Sequence, residues 1–153
     1  MEPHLIYHFL NDDELLRISN KIKENEKKTA GEICVTIKEH RHFLKRKKSI
    51  RELAEEEFHR LGIDKTKDKT GILIFILLEG RQFYILADSG INEKVPEITW
   101  HNIKEEMQSM FIKGEFCKGI LFGIDEIGKI LSKHFPIKSG DTNEISDRVR
   151  IEN

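Results

Sequence analysis

The chain has 153 residues and a mass of 17.9 kDa, the size of one domain with a buried core. Hydrophobic residues make up 38% and charged residues 35%, and the apolar ones arrive in organised segments, which excludes a globally disordered chain. Lys and Arg total 26 against 27 Asp and Glu, a formal charge of -1, so the attraction to phosphate backbones that drives general nucleic-acid binding is missing.

Cys34 and Cys117 are too few for a disulfide framework and sit among apolar neighbours, as reduced core thiols do. Residues 1–10 lack the basic start, apolar stretch and cleavage site of an export signal. The longest apolar run, residues 72–78, falls far short of the roughly 20 residues that span a membrane. A soluble, cytoplasmic protein is expected.

Asn11 followed by Glu14 has the grammar of a capping box, and Leu15, Ile18 and Ile22 make one helical stripe behind it. Residues 32–38 alternate Ile33, Val35 and Ile37 against Cys34 and Thr36, which predicts a first strand. Ser49 and Glu52 repeat the capping box for a helix carrying Ile50, Ala54, Phe58 and Leu61 up to Gly62. Residues 71–78 are apolar on both faces and predict a buried strand with helices on each side. After a turn at Glu79-Gly80-Arg81, residues 83–87 return as the third strand. Trp100, Ile103, Met107 and Met110 recur at helical spacing; beyond Lys113-Gly114, so do Phe116, Ile120, Ile124, Ile127 and Leu131. Phe135-Pro136 closes a single domain over residues 1–136, and residues 137–153 are expected to be a flexible polar tail.

This order predicts a three-layer α/β/α sandwich with a mixed sheet: strands 1 and 2 parallel, strand 3 antiparallel in a hairpin, helices on both faces. Glu32, Asp68 and Asp88 then converge at one sheet edge, close to Gly90, Asn92 and Glu93. Carboxylates and backbone carbonyls are the hard oxygen ligands that Ca²⁺ or Mg²⁺ takes. Gly90 would supply a positive φ in a turn that aims carbonyls at the ion. The plainer alternative is that Asp88 caps the strand end and Glu32 is solvated.

Other motifs carry less. Residues 123–129 read G-x-x-x-x-G-K, but Ile130 stands where a phosphate loop needs Ser or Thr, and no strand precedes it. Gly119, Gly123 and Gly128 suit close helix packing instead. Arg41, Lys45, Arg46, Lys47 and Lys48 surround His40, His42 and Phe43 in a basic segment, which either docks an anionic partner or is a solvated loop. His40 and His42 lack a further ligand pair for zinc. No G-x-S-x-G occurs, and nothing sets either cysteine beside a histidine.

Ala54 and Phe58, Thr70-Gly71-Ile72-Leu73-Ile74, Ala87-Asp88-Ser89-Gly90-Ile91-Asn92, Trp100, Phe111-x-x-Gly114-x-Phe116-x-x-Gly119 and Phe135-Pro136 together resemble the TPM domain, the family of the thylakoid lumen acid phosphatase. The resemblance covers about residues 9–136. It implies a helix-flanked mixed sheet, a divalent-metal site at the loop-rich edge and, for some members, weak hydrolysis of phosphate esters or nucleotides. By position, Asp88 matches the family's aspartate after the third strand, Glu32 its glutamate opening the first, and Asp68 its acidic residue before the second. Thr70 stands where the family usually has Asn. Many relatives carry an export signal and a C-terminal membrane anchor; this sequence resembles the short, free-standing bacterial members.

Two functions follow as expectations. The favoured one is a monomeric partner-binding module that holds Ca²⁺ or Mg²⁺ at Asp88, Asp68, Glu32, Gly90 and Glu93. It docks its partner through that edge or through the basic segment of Arg41, Lys45, Arg46, Lys47 and Lys48. The other is a weak metal-dependent phosphatase or nucleotidase acting on a small phosphate ester, for which no general base stands out.

Overall fold

The computed structural model describes residues 5–137 and 149–153. Helix α1 spans Asp12–Glu26. Asn11 accepts the Glu14 N–H at 2.8 Å and donates its own N–H to Glu14 at 3.0 Å, the reciprocal cap that the sequence predicts. Strand β1 (Glu32–Lys38) leads through a 3-10 turn at Phe43–Lys45 to α2 (Ile50–Arg60), which Ser49 and Glu52 cap in the same way. Gly62 ends α2 at φ 73°, backbone that glycine adopts without strain, and a second 3-10 turn at Ile63–Lys65 follows. Strands β2 (Gly71–Leu77) and β3 (Gln82–Ala87) form the hairpin. A one-turn helix α3 (Ser89–Asn92), absent from the sequence reading, precedes α4 (Glu97–Ile112) and α5 (Phe116–His134).

The sheet runs β3-β2-β1 with β1 and β2 parallel and β3 antiparallel to β2. Side chains alternate between its faces. Ile33, Val35, Ile37, Ile72, Ile74 and Ile76 join the larger core with residues of α1, α4 and α5. Cys34, Leu73, Phe75 and Leu77 face Leu53, Ala54 and Phe58 of α2, with Ile63, on the other side. All of β2 is buried, as its unbroken apolar run requires. The result is the predicted α/β sandwich, with an unequal division of helices between the faces.

Small residues let α5 sit close to its neighbours. A Cβ at Gly123 would stand 2.5 Å from Met107 Sδ, and one at Gly128 would stand 1.9 Å from Asn25 Oδ1. Residues 123–129 are therefore a packing surface on a helix, not a phosphate loop.

The C-terminal expectation needs correction. Arg150–Glu152 form a fourth strand, β4, parallel to β1 with Thr36 opposite Arg150 and Lys38 opposite Glu152. The order of the sheet is thus β3-β2-β1-β4. The rest of the expected tail, residues 138–148, lies outside the described residues.

Candidate functional site

The loop edge is built around the turn from β3 into α3. Asp88 Oδ1 accepts the Ser89 N–H at 2.7 Å, so Asp88 does cap the element that follows it. Its second oxygen, Oδ2, is buried and has no hydrogen-bond partner among the described residues. The backbone of residues 68–69 presses against Gly90: a Cβ there would stand 2.3 Å from the Asp68 carbonyl oxygen and 2.6 Å from that of Lys69. Gly90 does not have the expected positive φ, which falls instead on Lys69 at 57°. What position 90 requires is the absence of a side chain.

Asp68, Gly90 and Glu93 line a cavity of about 260 Å³ with Ala30, Thr70, Lys94, His134, Phe135 and Pro136. Asp68 and Glu93 are exposed. Glu32 is 3% exposed and pairs in register with Gly71, whose carbonyl accepts the Asp88 N–H at 2.9 Å. Gly71 therefore lies between the two acidic residues, and fully buried Ile63 covers it, 2.4 Å from where a Cβ would be. Glu32 is buried one strand across from Asp88, with Gly71 between them, and is not the solvated residue of the plainer reading. Among the described residues no group of three His, Cys, Asp and Glu side chains is gathered to hold a metal.

The basic segment is largely engaged with itself. Arg41 Nη1 donates to the carbonyls of Lys45 and Arg46 at 3.3 and 3.1 Å and also to that of Lys48, so Arg41 holds the loop in shape. Lys45 pairs with Glu56 at 2.8 Å and Lys48 pairs with the same carboxylate. Hydrogen bonds from Lys45 and Lys48 keep the Glu56 carboxyl below its ordinary range. Arg46 lies 4.6 Å from the centre of the Phe43 ring. Lys47 is exposed, as are Phe43 and Leu44. His40 stands 3.2 Å from Glu79, whereas His42 Nδ1 accepts the Leu44 N–H at 3.1 Å, so the two imidazoles serve separate local contacts.

Burial pushes the Cys34 thiol up to about 12 and raises that of Cys117, which leaves both as packing groups rather than nucleophiles. One polar cluster is only half visible in the linear pattern. Glu57 accepts hydrogen bonds from Thr36 Oγ1 at 2.9 Å and Arg60 Nε at 2.8 Å, and Arg60 also donates to Glu152 of β4 at 2.6 Å. The i, i+3 spacing of Glu57 and Arg60 could have signalled the first half of it.

A mixed sheet flanked by helices, with an acidic loop edge beside a one-turn helix, defines the class of domain. The chain matches the family model of the TPM domain over residues 7–130 and belongs to that family. It is similar to the BA42 protein of the psychrophilic bacterium Bizionia argentinensis, whose NMR structure shares 32% identity at a TM-score of 0.83, covering 94% of this chain and 95% of that one. The N-terminal domain of a P. gingivalis protein shares the fold at 15% identity and a TM-score of 0.67, covering 83% and 79% of the two chains. The N-terminal domain of the cg2496 protein of Corynebacterium glutamicum does so at 10% identity and 0.56, covering 88% and 81%. No curated protein matches. Among the described residues no helix is long and apolar enough to cross a membrane.

Proposed function

We propose that this TPM domain is a binding module that takes a divalent cation, Ca²⁺ or Mg²⁺, at its loop edge, with Asp88 as the central ligand. The observation that carries this reading is Asp88 Oδ2, a carboxylate oxygen buried without a hydrogen-bond partner. An unsatisfied buried acceptor of this kind costs about 1–3 kcal/mol, and more when charged, so the site favours a cation that would satisfy it. Asp68 offers a second carboxylate from the segment packed on Gly90, and Glu93 an exposed third along the same cavity. Glu32 stands outside this ligand set, behind Ile63. The cation supplies charge neutralisation that draws residues 68–69 and 88–93 together into one ordered edge.

Calorimetric titration of the EDTA-treated chain with Ca²⁺ and Mg²⁺ tests the reading. Saturable binding that disappears in Asp88→Asn is expected, with a matching rise in thermal stability at about 100-fold excess over Kd worth about 2.7 kcal/mol. Absence of binding at millimolar metal would overturn it. Hydrolysis of small phosphate esters, if this edge performs it, must fall in the same Asp88→Asn protein. The buried, reduced Cys34 and Cys117 suit a reducing compartment, which supports a cytoplasmic site of action.

A further inference from the structure

The sheet has two edges with different fates. β4 covers β1, whereas β3 has β2 on one side and, among the described residues, no strand on the other. The Asp88 N–H bonds to the Gly71 carbonyl, so the antiparallel alternation turns the N–H and C=O groups of Phe83, Ile85 and Ala87 away from β2. The Asn92 side chain covers one of these, donating to the Ala87 carbonyl at 2.9 Å. Two cavities run along this edge between α2 and α4. One, of about 520 Å³, is lined by residues 84–87 with Arg51, Trp100 and Lys104 among others. The next, of about 280 Å³, is lined by residues 81–83 with Ile50, Lys104 and Phe111. Together they span β3 from end to end.

The edge is cationic. Lys104 Nζ lies 5.7 Å from the Phe83 ring centre and 5.9 Å from that of Tyr84. Those two side chains point to opposite faces of the sheet, so a cation near both sits over the edge itself. Arg51 pairs with Glu55 and His101 with Glu105, but neither Lys104 nor Arg81 has an ion pair among the described residues. Glu97 is the one carboxylate in the lining of either cavity. Trp100, 7% exposed, lines the larger cavity, and its Nε1–H lacks an acceptor among the described residues.

We propose that the β3 edge is a docking site for an extended acidic segment of a partner protein, which adds as a fifth strand beside Phe83, Ile85 and Ala87 with its carboxylates against Lys104 and Arg81. Strand addition supplies main-chain hydrogen bonds for affinity, and the flanking pockets supply specificity. Half-buried Tyr84 and Leu86 on one face of the sheet and Ile85 on the other flank the added strand with apolar surface. A second copy of the chain is the wrong occupant, because two β3 edges would bring Lys104 and Arg81 against their own like charges. Lysine commonly guards an exposed edge; a guard repels every strand, whereas a docking cation selects acidic ones. The proposal does not depend on a cation at Asp88.

The test uses the full chain and two labelled peptides of about ten residues, long enough to cover β3 at ~3.4 Å per residue, one alternating Glu with Val and the other Lys with Val. The acidic peptide is expected to bind, more weakly at high salt, and to protect the Phe83 and Ile85 amides from exchange. Lys104→Glu should weaken it about tenfold and reverse the preference between peptides, with Lys104→Gln intermediate. Equal or absent binding of the two peptides would overturn the proposal. So would amide changes confined to other elements, or β3 amides protected by self-association before any peptide is added.

Discussion

Gly90 carries much of the local geometry of the loop edge through the side chain it lacks. The Asp68 and Lys69 carbonyls occupy the space a Cβ would need, and both belong to backbone rather than to flexible side-chain ends. Gly90→Ala should therefore cost about 1–3 kcal/mol, since relief requires the segment before β2 to move. A urea titration checks this; an unchanged midpoint would show that the segment yields freely. At this scale the sequence is a good guide to which residues gather and a poor one to which stay apart. Asp68, Gly90 and Glu93 do line one cavity. Glu32 shares their strand ends, but Ile63, in a 3-10 turn without periodic signal, intervenes at Gly71. No spacing rule places such a wedge.

Helices α1, α2, α4 and α5 and the first three strands were legible because each carries its own local instructions: a capping box or a helical apolar stripe, a buried or alternating apolar run, and a hairpin turn. Strand β4 has none of these. It is three residues long and mostly exposed, and it is held by a tertiary cluster, where Arg60 bridges Glu152 and buried Glu57. Burial, then the neighbouring Glu57 carboxylate, pushes the Glu152 carboxyl up to about 7 from its ordinary 4.5. Burial works against ionisation of Glu57, but hydrogen bonds from Glu152, Arg60 and Thr36 outweigh it and keep Glu57 below its ordinary range. The folded protein thus retains a proton on Glu152 between pH 4.5 and about 7 that the detached strand would release. The contribution of Glu152 to β4 docking is fully present below that window and is lost as pH rises through it. Lys38, opposite Glu152, favours the ionised form and limits the loss. Amide exchange at Glu39, whose N–H donates to the Glu152 carbonyl at 2.7 Å, should accelerate from pH 5 to pH 8 beyond its intrinsic rate. Glu152→Gln should flatten that excess; an excess retained in the variant would place its cause elsewhere.

At the scale of the whole molecule, the two cores and the two sheet edges are separate matters. Both cores are built from β1, β2, β3 and the helices, and no residue of β4 belongs to either. Edge status is a property of the assembled sheet, so the sequence reading could find the strands and their directions without telling which of them is left open. The architecture predicts what happens when the covered edge is opened. A chain ended at Ile137 keeps every buried residue of both cores, loses Val149 from the flank of the larger one together with the Arg60–Glu152 pair and the pairing of β4 with residues 36–38, and frees the outward backbone groups of β1. It should still unfold in one cooperative transition, at a cost of about 1–3 kcal/mol, well under the 2–5 kcal/mol that one large-to-small change such as Ile124→Ala costs in the main core. The β1 edge of such a chain bears polar Thr36 and Lys38, and pairing between copies through it becomes possible. Urea unfolding combined with sedimentation at two protein concentrations separates the effects. A lower midpoint with a monomeric chain means that β4 only stabilises, concentration-dependent association means that it also caps the sheet, and failure to fold would show that the cores are not self-sufficient.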